Sequence, residues 1–287
     1  MPFFSVIIPV YEGESTIEET LRSVTSQSFT DYEILLVNDG STDATVSLLR
    51  SFKKAHPQRD ITLIEQDNRG LGAARNAAIQ AATGKYCVLL DADDLWKPEK
   101  LEVLHQEIIR HEPAMLYHPV VTFGLQKHWQ RKAWPVKSIR ELVLKGNPIV
   151  PSAVALFSDL AKAHPFVTDE AYHGAEDLFL WITLLHEGHN LHFFPAPLTL
   201  YREEGGMSTR LDEHLKKVIS VFRHFAEAEI ISAELLEKAI RRKHYEAARF
   251  NHKRSLHREA GWHYSASRSY APKSLALRLM NYLRIST

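Results

Sequence analysis

Three carboxylates fall within four residues at Asp91-Ala92-Asp93-Asp94, directly after the apolar run Tyr86-Cys87-Val88-Leu89-Leu90. Like charges this close repel one another unless a cation neutralises them. Hard oxygen ligands suit Mg²⁺ or Mn²⁺. The Asp-x-Asp spacing at a strand end lets Asp91 and Asp93 reach one cleft. A solvated turn rich in capping acids is the alternative for the same residues. Asp39 follows a second apolar run and can accept hydrogen bonds from a nucleobase or ribose. It suits an Asx turn feeding the next helix equally well. Gly70-Leu71-Gly72-Ala73-Ala74-Arg75-Asn76 combines flexible glycines, a helix N-terminus and an arginine, a set that suits an anionic phosphate. It matches a dinucleotide fingerprint only superficially, since Arg75 stands where a small residue is needed. Glu176-Asp177 follows Gly174 and opens an apolar helix. An acid there can serve as a general base, and acids are favoured at helix starts in any case.

These groups need a frame, and the first hundred residues supply an alternating one. Phe4 to Val10, Tyr32 to Val37, Ile61 to Ile64 and Tyr86 to Leu90 read as buried strands. Between them, Ile17, Leu21, Val24 and Ser28 share a helical spacing, as do Val46, Leu49 and Phe52, and an alanine-rich helix ends at Gly84. Ser15-Thr16-Ile17-Glu18 has the form of a capping box. Pro98 suits the first turn of a helix carrying Leu101, Leu104 and Ile108. Strands and helices in alternation, with near-continuous apolar strands, predict an α/β fold with a parallel sheet covered on both faces. Ligands bind such sheets at the carboxyl ends of the strands. Tyr11, Asn38-Asp39 and the Asp91 group all fall there. Further on, Met115 to Phe123 and Ala153 to Phe157 read as strands. Asp177 to Glu187 reads as a helix, and Leu191 to Tyr201 as strand-like but broken by prolines. From Leu211 the pattern is helical.

Composition narrows the class. The chain has 287 residues, 45% hydrophobic and 24% charged, with 35 basic and 35 acidic side chains. A zero net charge gives no case for nucleic-acid binding. Cys87 is the sole cysteine and lies in an apolar run, which fits a small buried hydrophobe and a reducing, cytoplasmic setting. Met1 to Pro9 is short, lacks a basic leader and reads as a strand rather than a signal peptide. No run approaches a membrane span. The last fifty residues are basic, with Arg241, Arg242, Lys243, Arg249, Lys253, Arg254, Arg258, Arg268, Lys273, Arg278 and Arg284. They suit peripheral contact with the anionic inner face of the plasma membrane, or a solvated face or subunit contact.

Five segments occur in the order seen in family 2 glycosyltransferases. They are Phe4-Ser5-Val6-Ile7-Ile8-Pro9-Val10-Tyr11, Ile34 through Asp43, Gly70 through Asn76, Asp91-Ala92-Asp93-Asp94 and Glu176-Asp177. The chain resembles that family densely over residues 4–112 and more thinly over 146–208. The resemblance implies a GT-A domain over residues 1–210, a Rossmann-like nucleotide-binding fold with a mostly parallel sheet. Residues 1–112 would bind the nucleotide sugar, 113–210 the acceptor, and 211–287 would form a helical C-terminal extension. It implies that Pro9, Val10 and Tyr11 line the base pocket, that Asp39 holds the base, and that Arg75 lies near the donor diphosphate. Asp91 and Ala92 would approach the ribose or donor sugar, and Asp93, with Asp91, would ligate Mn²⁺ or Mg²⁺. Asp177 would be the catalytic base and Glu176 would help place the acceptor. Tyr201-Arg202 followed by Ser208 resembles a segment that closes over the diphosphate. Glu12 departs from the family's usual asparagine.

The family's processive members carry Gln-x-x-Arg-Trp, which is missing here, so a single sugar is expected to be added. The resemblance further implies inversion, a UDP-linked hexosyl or N-acetylhexosaminyl donor, and a glycan, polysaccharide or lipid-linked acceptor. Rival readings are a sugar nucleotidyltransferase and a non-catalytic nucleotide-sugar sensor or scaffold. His186-Glu187-Gly188-His189 is one residue short of a His-Glu-x-x-His zinc motif and reads as a polar helix end. Trp129, Trp134 and Trp181 read as packing residues, with Trp134 kept as a candidate for the acceptor site.

Overall fold

Phe4–Val10 (β1) is buried at all seven positions, as a strand covered on both faces must be. In the computed structural model, which describes residues 1–124, 131, 133–203, 211–254 and 256–267, β1 pairs in parallel with Tyr32–Asp39 (β2) and Tyr86–Leu89 (β4). Ile61–Gln66 (β3) continues the sheet beyond β2. On the other side come Val154–Phe157 (β8), Met115–Tyr117 (β6) and Leu191–Phe193 (β9), giving the order β3-β2-β1-β4-β8-β6-β9. Only β8 runs against the rest, since it is antiparallel to both β4 and β6. A three-stranded sheet joins Leu95–Trp96 (β5), Thr199–Arg202 (β10) and Val120–Phe123 (β7) in the order β5-β10-β7.

The helices that follow the parallel strands are Ile17–Thr25 (α1), Thr45–Ala55 (α2), Leu71–Ala81 (α3) and Lys100–His111 (α4). Ile17, Leu21 and Val24 of α1 and Leu101, Leu104 and Ile108 of α4 pack into one core with Phe4, Val6, Ile8 and Leu36. Ser158–Ala163 (α6) and Glu176–His186 (α7) follow β8. Trp181 is fully buried in α7, as a packing residue should be, and Cys87 is buried, with its thiol pushed up to about 11 by burial.

Several sequence expectations are corrected. The strand expected over Met115 to Phe123 is two strands in two sheets, broken at His118-Pro119. Proline has no N–H to give a ladder, and the chain changes sheets there. The capping box at Ser15 does not form. The start of α1 is tied by the Thr16 and Ile17 amides to the Gly13 carbonyl, and Glu18 pairs with Arg22 instead. α1 ends at Thr25, so Ser28 lies beyond it.

Two compact units result: residues 1–137 with 147–206, and residues 138–146 with 207–287. The second unit contains Ile139–Lys145 (α5), Leu211–Glu227 (α8), Ala233–Lys253 (α9) and His257–Ala266 (α10). The sequence had placed residues 138–146 with the acceptor-binding part. Ser232 caps α9 by accepting from the Leu235 amide, and Ala248, Ala260 and Tyr264 form a small core between α9 and α10. Lys238, Arg241 and Arg242 pair with Glu234, Glu237 and Glu246 along α9, so acids sit beside several of the cations. Among the described residues no helix is long and apolar enough to cross a membrane. Trp129, Ser208 and the basic positions from Arg268 onward lie outside the described residues.

Candidate active site

The carboxyl end of β4 sets out the acids in three different ways. The Asp91 amide donates to Ser152 Oγ at 3.0 Å, which pins the strand end. The Asp91 carboxylate meets the Arg75 guanidinium at 2.6 Å. Asp94 turns inward, is fully buried, and accepts from the Arg202 amide at 2.8 Å. Burial, then the charges of Asp93 and Asp91, hold its carboxyl well above the usual range. The sequence assigned the metal to Asp91 and Asp93 and gave Asp94 no role; the structure gives Asp94 to the loop's own scaffold. Asp93 is the acid left over, and among the described residues no ion pair closes on it. Burial and the neighbouring Asp91 raise it to about 6. An acid raised in this way is one that a divalent cation would return to its charged form, so Asp93 and Asp91 fit the expected metal.

Arg75 is 2% exposed, yet burial does not discharge it. The carboxylates of Asp91 and Glu176 outweigh desolvation and hold it charged. Its Nη1 lies 3.6 Å from Glu176, and its Cζ lies 5.2 Å from the Phe166 ring centre. Within the protein this side chain's partners are carboxylates. It bridges the acids that end β4 to the acids that open α7. The next residue, Asp177, accepts from Asn147 Nδ2 at 2.9 Å. Burial, reinforced by the adjacent Glu176, raises the Asp177 carboxyl to about 6. Glu176 is buried and also accepts from the Gly174 amide at 2.6 Å, where Gly174 has φ +83°.

Asp39 is 3% exposed, and its carboxylate accepts three bonds: from Gln66 Nε2 at 2.7 Å and from the Arg69 and Gly70 amides at 2.9 Å each. It fixes the loop between β3 and α3. That loop lines a cleft of about 380 Å³ together with Val167, His173 and Glu176. Gly40 follows Asp39 with φ +75°, and a Cβ there would sit 2.6 Å from the Asn68 amide nitrogen. Gly40→Ala is expected to destabilise the fold by more than about 1–2 kcal/mol, the cost of a left-handed L-residue before the clash is added. Chemical denaturation measures it; an unchanged midpoint would mean that the turn relaxes freely.

Pro9 and Val10 are buried in β1, and Tyr11 beyond them is 55% exposed. Glu12 has φ +49°, a region that asparagine and glycine enter more readily than other residues. Its carboxylate accepts from the Thr42 amide and hydroxyl at 2.9 Å, which holds the two strand ends together. Ala92 accepts from Thr20 Oγ1 at 2.9 Å through its carbonyl. Arg202 donates from Nε to the Asp93 carbonyl at 2.9 Å, pairs with Glu19 at 2.7 Å and covers the Phe123 ring. It thus clamps the acidic loop. The Trp134 carbonyl faces the Tyr117 hydroxyl at 3.1 Å.

Sequence reasoning missed four supporting residues. Lys100 is fully buried, and its Nζ donates to the Ser152 carbonyl at 2.6 Å and to Thr199 Oγ1 at 2.9 Å. Burial pushes its ammonium well below the usual range, although Asp94 opposes that. Its signal was present: Lys100, Leu104 and Ile108 share one helical stripe, so a lysine in that phase points inward. Ser152, Thr199 and Asn147 carried no such signal.

The family model for "Glycosyl transferase family 2" matches residues 5–158. TuaG of Bacillus subtilis (strain 168), a glycosyltransferase named for teichuronic acid biosynthesis, is 41% identical over 101 residues, covering 35% of this chain and 40% of that protein. The matched stretch is thus less than half of that relative. Among solved structures, S. aureus TarS 1-349 in complex with UDP-GlcNAc superposes with a TM-score of 0.64 at 17% identity, over 97% of this chain and 89% of that one. The mannosyltransferase PcManGT from Pyrobaculum calidifontis, in complex with GDP-Man and Mn²⁺, gives 0.64 at 20% identity, over 100% and 81%. At these identities the structural likeness speaks to the fold.

Proposed function

The chain belongs to glycosyl transferase family 2 and is a glycosyltransferase; from that premise we propose that it adds one sugar, with inversion, from a UDP-linked donor to an acceptor hydroxyl on a glycan, polysaccharide or lipid-linked carrier. One observation carries the reading. Arg75 joins the acids at the end of β4 to the acids at the start of α7, beside a glycine-lined cleft. A donor site and a base are thereby held in one ionic network. The UDP-GlcNAc and GDP-Man complexes of structural neighbours support a nucleotide-sugar donor, and the Mn²⁺ in one of them supports a divalent ion. An acceptor on a lipid carrier would be met from the membrane surface.

Asp93, with Asp91 beside it, would hold the divalent ion, whose charge stabilises the leaving diphosphate when bound. Asp177 takes the proton of the acceptor hydroxyl. Its ionisation near pH 6 makes it a better base than an ordinary aspartate while leaving it mostly charged at neutral pH. Attack from the base's side, opposite the leaving group, inverts the anomeric carbon. Glu176 orients the site through Gly174 and Arg75.

Thermal stabilisation by UDP, GDP, dTDP and CDP, each with Mn²⁺ and with chelator, tests the donor site. A nucleotide at about 100 times its Kd should add about 2.7 kcal/mol. We expect a Mn²⁺-dependent shift with UDP that is lost in Asp93→Ala. A shift with another base would replace the donor assignment. A shift without turnover would favour a nucleotide-sugar sensor that has lost its chemistry, and no shift with any of them, together with no turnover, would favour a scaffold.

A further inference from the structure

The polar end of α7 does more than cap a helix. Gly188 takes φ +79°, and the His189 and Gly188 amides donate to the Leu184 and Leu185 carbonyls. This is a Schellman turn. It reverses the chain so that Glu187 and His189 face the same side, with His189 Nε2 3.1 Å from Glu187 Oε2. His164, at the end of α6, brings its Nε2 to 2.7 Å from the same oxygen. These three ligand atoms lie within 4.8 Å of one another.

The far side of the His164 ring fixes its tautomer. Its Nδ1 lies 3.0 Å from the Leu160 carbonyl, which can only accept, so Nδ1 carries a proton. In a neutral imidazole Nε2 then presents a lone pair, and it presents it to a carboxylate oxygen. Two acceptors in contact need a positive species between them, either a second proton on the ring or a metal ion. A backbone carbonyl on the distal nitrogen is also how metal-bound histidines are commonly oriented. The imidazole rings approach at 76° with centres 5.6 Å apart, as separate corners of a tetrahedron would. Ligands around a tetrahedral zinc ion stand about 3.3 Å apart; the His189–Glu187 pair at 3.1 Å is near that, and the His164–Glu187 pair at 2.7 Å would open slightly to admit the ion.

We propose that His164, Glu187 and His189 bind one Zn²⁺-class ion, with a fourth position open to water, tying the end of α6 to the turn after α7. Two imidazoles and one carboxylate select that class over Mg²⁺ or Mn²⁺. A second cluster, Glu107, His111 and His192, lacks these features. Its histidine rings stack at 4.3 Å, and the Arg110 guanidinium already holds Glu107 at 3.0 Å.

The test is Zn²⁺ titration of tag-free, chelator-stripped full chain against a chromophoric competitor. The wild type should take up one tight equivalent. His189→Ala and the near-isosteric Glu187→Gln should each weaken that uptake at least tenfold, while Asp93→Ala and His111→Ala retain it. Zn²⁺ should raise the melting temperature of the wild type but not of Glu187→Gln. No tight uptake by the wild type, or uptake unchanged in both His189→Ala and Glu187→Gln, would overturn the site. So would loss of the ion in His111→Ala instead.

Discussion

Asp177→Asn is expected to lower the rate of sugar transfer by about 10²–10⁴-fold while nucleotide binding persists, because it removes the proton acceptor and leaves the donor pocket alone. Asparagine keeps the shape and can still accept from Asn147, so the loss reports chemistry rather than packing. Single-turnover transfer alongside nucleotide titration measures both. Loss of binding in step with rate would remove Asp177 from the base role. In the wild type the rate should fall as pH drops through about 6, where the raised Asp177 carboxyl takes up its proton.

The same carboxyl has a cost to stability with a definite sign. Its folded pKa, about 6, lies above the ordinary value of 3.8, so the native state binds the proton more tightly than the unfolded chain does. That contribution is fully present below pH 3.8 and is lost as pH rises through about 6. At pH 7.5 the ionised carboxylate is therefore a burden on the fold. Asp177→Asn should melt higher than the wild type at pH 7.5, and the gap should close below pH 4. A mutant that melts lower at pH 7.5 would mean that the charge is well solvated or paired and is no base in waiting.

How far the site could be read beforehand depended on which side chains act alone. Strands β1, β2 and β4 were legible because each is buried along its whole length and therefore largely apolar, and β3, half-buried at the sheet edge, because Ile61, Leu63 and Ile64 still stand out. The Asp-x-Asp at the end of β4 and the acid pair opening α7 were legible because charge dense enough to repel itself stands out. What the acids do to one another was not legible. Asp94 and Asp93 are neighbours in sequence, yet one is buried against Arg202 and the other is not, because β10 arrives from a hundred residues away. The split at His118-Pro119 was half visible, since Pro119 was there to be read but the second sheet was not. Asp39 offered the same difficulty. Its type suits a nucleobase, and only the fold shows that its carboxylate already holds the loop from Gln66 to Gly70.

Arg75→Met should show how far the two acid pairs depend on each other. It removes the cation that pairs with both Asp91 and Glu176 and leaves the buried Glu176 carboxylate without that partner. Breaking a buried pair in this way costs about 3–5 kcal/mol. Transfer should fall with it, but stability and rate alone cannot separate a positioning residue from a structural one. The pH profile can. Arg75 lowers the Asp177 carboxyl, opposing the burial and the Glu176 charge that raise it. Without Arg75, the midpoint of the rate against pH should move upward from about 6. Arg75→Lys keeps a charge and offers a variant that folds if the methionine one does not. It should hold the midpoint near its wild-type value while losing rate, since an ammonium cannot reach both carboxylates as the guanidinium fork does. A midpoint that stays in place in Arg75→Met would mean that the arginine supports the fold without tuning the base, and the ionic link between the two ends of the site would have no part in the chemistry.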